Sequence, residues 1–296
     1  MPRTLTFSKN RQRWIGTRST NIRGEPFRQA IRNESVYASK LDRLVSQMTQ
    51  EVRREVLKLF QSDESNARFS EDASVSSTAR ILLNQLTRKF TKSFADKATP
   101  FAKAMASNAD KSSKSTVFSS LKKLSGGLSI KTDFLTPDIT EILKGTISEN
   151  VDLIKSIPQT YLNQVKGEVM RTITQPETGG IQGLQEKIHS VLKKRDKQIH
   201  NKARNIAYDQ TRKAFQNLNA GRMRAAGLKK YTWLHSGGGQ RPREYHLNEL
   251  NGQVFDLDDP PIIDKRTGER GIPGQLINCR CTMIPIVEFQ NGNEIT

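Results

Sequence analysis

Cys279 and Cys281 are the only cysteines of the 296-residue chain, and they stand one residue apart in the run GQLINCRCTMIP (274–285). On an extended strand, residues i and i+2 face the same side. Both thiols would then point together, with Arg280 opposite. His246, with either His235 or Asp256 as a fourth donor, would complete a tetrahedral zinc set with the two thiolates. A metal would also pin a small module that has little core of its own. The spacing departs from that of common zinc modules, which put two to four residues between cysteines. The same residues admit blander and sharper readings. The cysteines can be small core residues under a sheet or a reactive thiol pair. With His246 as base and Cys279 as nucleophile they would form a Cys–His hydrolase. His246 with Asn251 would hint at a metal-dependent nuclease. No nucleophile elbow or metal triad accompanies either enzyme reading, so the expectation is a protein without catalysis of its own. A disulfide between such near neighbours would close a strained ring.

The elements that must position these residues follow the alternation of the last segment. KKYTWLH (229–235) alternates and is aromatic, as a strand does, and NGQVFDL (251–257), opening on the Asn251-Gly252 turn pair, reads as a second strand. A polar excursion over DDPPIIDKRTGERGIPG (258–274) leads into a last strand at CRCTMIPIVEF (279–289). Upstream, helices dominate. Leu41, Leu44, Val45, Met48, Val52, Val56 and Leu59 recur at helical spacing, as do Leu82, Leu83, Leu86, Phe90, Phe94, Phe101 and Met105. Pro100 is expected to kink or split the second helix. Thr136 and Pro137 read as N-cap and first position of a helix ending near Gly145. A long helix is expected from about Asp196 to Ala226, burying Ile199, Ala203, Ile206, Ala207, Ala214 and Leu218. His189 and His200 read as surface or packing residues. The serine-rich segments 62–77 and 107–120 read as loops.

Charge divides the chain. From Tyr231 onward six basic residues face nine acidic ones, net −3, whereas the whole chain is +18, which leaves +21 for residues 1–230. Residues 1–27 read as a basic, flexible arm, with Trp14 as a docking residue. The domain expectation is therefore the arm at 1–27, a helical region at 28–178, and a C-terminal module at 179–296 whose sheet lies within 231–290. The fold class expected is α+β, mainly helical and then a short antiparallel sheet. Arg11, Arg13 and Arg18 in the arm, and Lys202, Arg204, Arg212, Lys213, Arg222 and Arg224 on the long helix, are candidate contacts to phosphate or an acidic protein. Without interleaved aromatics, base reading is not expected. No apolar run reaches the roughly 18–20 residues that span a bilayer. The N-terminus lacks the apolar core of a secretory signal. The sparse cysteines suit a reducing compartment.

One ordered series in this segment resembles a known family. Asn217 or Asn219 leads to Arg222 at the end of the helix, and Trp233 follows. Arg241 or Arg243 precedes His246. The Asn251-Gly252 turn, Pro273-Gly274 and Asn278-Cys279-Arg280-Cys281 complete it. The series, over about residues 180–290, resembles the C-terminal domain of phage Mu F-like minor head proteins. Where many relatives carry an Asp after the Trp, this chain has Ser236-Gly237-Gly238-Gly239-Gln240. The resemblance implies a minor capsid protein of a tailed phage, associated with the portal and with major capsid or scaffolding protein during prohead assembly. It also implies a place in the virion, host cytoplasm during assembly, and a part in DNA packaging or delivery.

Overall fold

The structure is a computed structural model that describes residues 22–29, 31–60, 74–124, 136–174, 180–237 and 242–287. It is helical first and mixed afterwards, as an α+β chain should be. Four helices carry most of the described residues: α1 (Ile31–Lys58), α2 (Ser74–Leu124), α3 (Pro137–Thr174) and α4 (Gly180–Ala225). The strands are β1 (Ile22–Arg23), β2 (Lys230–Leu234), β3 (Val254–Asp256), β4 (Ile262–Asp264), β5 (Glu269–Arg270) and β6 (Thr282–Val287). None of the helices is long and apolar enough to cross a membrane among the described residues.

The apolar stripes form the helices, but the helices outrun their expected ends. On α1, Leu41, Leu44, Val45, Met48, Val52 and Val56 are buried, and Leu59 just beyond the helix is partly so. Thr136 caps α3, its Oγ1 accepting from the Ile139 amide at 3.3 Å. The helix then runs through Gly145 and Pro158 to Thr174 rather than stopping at the glycine. Pro100 does not divide α2, which is continuous over 51 residues. An internal proline costs a helix about 3 kcal/mol. Buried Phe94, Ala98, Ala102 and Met105 around it supply the packing that offsets this. The serines of 107–120 are not a loop either. Ser113 and Ser120 are buried on α2 and bonded to other segments, so polarity here marks tertiary contact rather than solvent. The helix read over GGIQGLQEKIHSVLKKR (179–195) and the long one read from Asp196 are a single helix, α4, from Gly180.

By packing, the chain falls into two compact units. One draws on Met1–Glu34, Ala104–Thr146 and Tyr208–Thr296, the other on Ser35–Lys103 and Ile147–Ala207. The reason is helix length: each of the four helices contributes residues to both units.

The helical unit buries its stripes around a few polar pairs. Asp196 is enclosed with Tyr161, whose hydroxyl donates to its Oδ1 at 2.6 Å, and with Arg53. Burial first, and then the charge of Asp196, raise the Tyr161 pKa, so the phenol stays protonated. Tyr37 donates to Asn150 Oδ1 at 3.1 Å.

The other unit holds a four-stranded antiparallel sheet in the order β1-β6-β2-β3. The central pair sets Trp233 opposite Met283 and Thr232 opposite Ile284. Residues 22–27, the described end of the segment read as a flexible arm, are held in place by strand β1. Ile22 and Arg23 pair with Val287 and Ile286, and the amides of Gly24 and Phe27 donate to the carbonyls of Pro285 and Met283 at 2.8 and 3.0 Å. Phe27 is buried in the core with Trp233 and Phe215. Ser120 pins the segment to α2, its Oγ accepting from the Glu25 amide and donating to the Glu25 carbonyl, both at 3.0 Å. Trp14, Arg11, Arg13 and Arg18 lie outside the described residues. The polar excursion contains the hairpin β4–β5, closed by Gly268 at φ 73° with its amide on the Asp264 carbonyl at 2.8 Å.

Candidate functional site

The two cysteines are not on the last strand. They lie in the loop that enters it, yet both sulfurs still converge. The turn that achieves this centres on Asn278, which takes φ 60°, a left-handed conformation in which asparagine is enriched among non-glycine residues. Its amide donates to Asp209 Oδ1 at 2.7 Å, and the amide of Cys279 donates to the Leu276 carbonyl at 2.9 Å. Burial raises the Asp209 pKa, and the Asn278 amide pulls it back in part. Arg243 Nη2 holds the same loop from the other side, donating to the Ile277 carbonyl at 2.9 Å.

His246 opens a π-helical turn, His246–Leu250. Such turns are frequent at functional sites. Here the turn lies between β2 and β3. The Asn251-Gly252 pair locks it down: Asn251 Oδ1 accepts the His235 amide at 2.9 Å, and the Gly252 amide donates to the Trp233 carbonyl at 2.8 Å. The Trp233 and His246 rings meet edge to face at 5.1 Å. Tyr245 donates to the Ile262 carbonyl at 2.9 Å, tying the turn to hairpin β4–β5.

The hairpin in turn fixes the imidazole. His246 Nε2 lies 2.8 Å from the carbonyl oxygen of Ile263, an acceptor only, so Nε2 carries the proton and donates. Nδ1 faces the sulfurs of Cys279 and Cys281 at 3.7 Å each. All three residues are buried, and their donor atoms lie within 4.8 Å of one another.

The electrostatics favour one thiolate. A hydrogen bond from Cys281 is the main cause, against burial, with His246 and the amides of Cys281 and Gly274 adding to it, and Cys279 is pushed down to about 4. Cys281 is driven up by that same bond to Cys279 and by burial, so the pair shares a proton. The Ser236 amide works the other way on Cys281. Burial lowers the His246 pKa, but the Cys279 sulfur and the Ile263 carbonyl more than offset it and leave it raised.

Gly274 lets this happen. It sits at φ 88°, and a Cβ there would lie 2.9 Å from Gln216 Cγ. Gln216 itself donates to Thr282 Oγ1 at 2.9 Å. Pro273 beside Gly274 is buried, whereas Arg280 between the cysteines is exposed.

The structure thus unites His246, Cys279 and Cys281 and excludes two expected partners. His235 is partly exposed and its Nδ1 accepts from the Gly237 amide at 3.1 Å. Asp256 accepts from the Asp258 amide at 2.8 Å, and neither belongs to the cluster. Asp256 stands opposite Lys230 at one end of the β2–β3 ladder, whereas His235 follows the other end of β2, its amide on Asn251. Sequence reasoning missed Asp209, the Ile263 carbonyl and the Gly274 amide. Only the DKRTGER turn pattern could have announced the hairpin that delivers Ile263. Arg241 lies outside the described residues.

The long-helix cations behave differently from one another. Arg222 corrects the surface reading: it is 1% exposed, held by Ser113 and Asp110. Arg212 embraces Glu34 through Nε at 3.0 Å and Nη2 at 2.7 Å. Arg224 reaches the Leu257 carbonyl at 2.6 Å and Asp258 at 3.2 Å. Lys202 donates to Thr160 Oγ1 at 2.9 Å, and Lys213 is partly buried. Arg204 is exposed, and so are Lys193, Lys194 and Lys197 one to three turns before it.

Residues 163–284 match the family described as phage Mu protein F like protein, the family that the C-terminal series of residues resembles. A protein of Haemophilus influenzae (strain ATCC 51907 / DSM 11121 / KW20 / Rd), described only as uncharacterized, is 28% identical over 267 residues. The match covers 89% of this chain and 55% of that protein, so the chain spans about half the length of the curated relative it matches. No solved structure matches the chain.

Proposed function

We propose that the chain is a minor head protein of a tailed phage, acting in prohead assembly. The observation that carries this reading is the family match over residues 163–284. What supports it further is that the motif residues of that segment have assigned mechanical tasks. Asn278 turns the cysteine loop, Arg243 holds it, Asn251 and Gly252 lock the π-turn, and Gly274 makes room against Gln216. These are tasks of a rigid docking unit, and the proposed role needs no catalysis. The proposed partners are portal protein and major capsid or scaffolding protein, with DNA met non-specifically. The proposed locations are the virion and, during assembly, the host cytoplasm. The test is co-purification with portal and capsid proteins from assembling particles, with and without nuclease. Recovery with portal in both arms is expected. Absence from both portal and capsid fractions overturns the reading.

Sequence-independent DNA binding is a second reading, favoured by the exposed row Lys193, Lys194, Lys197 and Arg204 on α4. Each phosphate contact adds close to one unit to the salt slope of affinity. Reversing these four charges should flatten that slope if DNA is the partner. No retention of any duplex at low salt would remove this reading and, with it, the DNA contact proposed in the first.

A further inference from the structure

We propose that His246, Cys279 and Cys281 form a zinc site with three protein ligands. The inference is independent of the role in head assembly.

The geometry is that of a ligand set rather than of incidental core packing. Two sulfurs and one ring nitrogen converge on a single point from two separate loops, each donor within 4.8 Å of the others. A metal-bound histidine ordinarily donates its other N–H to a carbonyl or carboxylate, which fixes the tautomer. His246 does this through Nε2 to the Ile263 carbonyl at 2.8 Å, leaving Nδ1 turned to the sulfurs. A pair of inert core thiols has no need of a histidine held in this tautomer. Buried negative charge is costly unless it is paired or coordinates a metal, and the three ligand residues are 2–4% exposed.

Donor type selects the ion. Two thiolates and an imidazole suit zinc and exclude the hard cations, calcium and magnesium, which take oxygen ligands. Zinc prefers four ligands, and no fourth His, Cys, Asp or Glu among the described residues joins the three. Among the described residues the fourth position is thus left to solvent or to a small exogenous ligand. On binding, any thiol proton the two cysteines still hold is released to solvent, as metal binding to thiols requires.

The site would join three pieces of chain: the π-helical turn, the loop before β6 and, through Ile263, hairpin β4–β5. The ion should therefore add stability by cross-linking them.

The test uses the full chain, purified reduced and without chelator from zinc-supplemented medium. Elemental analysis should find one zinc per chain. Chelation should lower the thermal midpoint, and added zinc should restore it. Cobalt added to the chelated protein should give the near-ultraviolet charge-transfer band of thiolate ligation and strong visible bands of a four-coordinate ion. Cys281→Ser should lose metal, whereas His235→Ala should keep it. Since Cys281→Ser could simply fail to fold, the metal content and cobalt spectrum of the unaltered chain decide by themselves. Zinc far below one per chain, with no cobalt–thiolate band, overturns the proposal. Stoichiometric copper in place of zinc overturns the assignment of the ion.

Discussion

The unit built from Ser35–Lys103 and Ile147–Ala207 and the unit that carries the sheet spend their sequence in opposite ways. In the first, apart from the enclosed group of Asp196, Tyr161 and Arg53, stability is distributed. Apolar residues recur every three or four positions, and any one of them is a modest part of the whole. In the second, it is concentrated at positions with no substitute: a buried arginine, a glycine at positive φ, a left-handed asparagine and the cysteine–histidine cluster. Distributed packing tolerates local change, whereas concentrated packing fails at named residues.

The largest test of that contrast is Asp110→Ala. Burial works against charge on Arg222 and lowers its pKa, and Asp110 opposes this through its hydrogen bond and charge. Breaking a buried pair by removing one partner costs about 3–5 kcal/mol, because the remaining charge is stranded. Lys114, also on Asp110 at 2.7 Å, is partly exposed and can turn to solvent, so it adds little. The double variant Asp110→Ala/Arg222→Met should recover much of the loss. Urea unfolding reads both. A single variant costing less than about 1 kcal/mol would mean that Arg222 finds water, and the contrast would weaken.

The same contrast explains what could be read from sequence. Leu41 through Val56 announced α1 because a helix buries residues at fixed intervals, and periodicity survives in one dimension. Trp233, His246 and the Asn-Cys-Arg-Cys run were legible as a set through their order. Their geometry was not. Cys279 and Cys281 were expected on a strand, and they converge instead because Asn278 turns the chain, a matter of one φ angle. Residues 22–27 carry no period that foretells pairing with β6, since their partner is more than 250 positions away. Ser113 and Ser120 looked like loop residues because their partners, Arg222 and Glu25, lie 109 and 95 positions away. Arg222 looked like surface for the same reason.

A pair of glycine substitutions sharpens the comparison, because one chemical change should have opposite signs in the two units. Gly274→Ala should destabilise by about 1–3 kcal/mol: the residue sits at φ 88° and its new Cβ would press on Gln216. Because Gly274 also points its amide at Cys279, the variant should loosen the cluster, which faster hydrogen exchange over 274–281 would report. Gly167 is an exposed interior residue of α3 with nothing within 4 Å of a Cβ. Gly167→Ala should stabilise by about 0.5–1 kcal/mol through a less flexible unfolded chain. Loss of stability at position 167, or none at 274, would break the claim that the two units differ in kind.

The smallest effect is expected at Lys89, whose ammonium lies 2.5 Å from Glu51 Oε1 across two helices of the helical unit. Its short distance invites a large estimate, but Lys89 is 57% exposed. Exposed pairs are worth about 0.2–1 kcal/mol, since solvent screens the attraction and ordering two long side chains offsets the rest. Lys89→Met should therefore shift the unfolding midpoint only slightly, and added salt should erase even that. Beneath the pair, buried Leu86 and Phe90 keep their contacts in the variant. A loss comparable to that at Asp110 would show that the helical unit also depends on single ionic contacts, and the division between distributed and concentrated stability would then have to be drawn elsewhere.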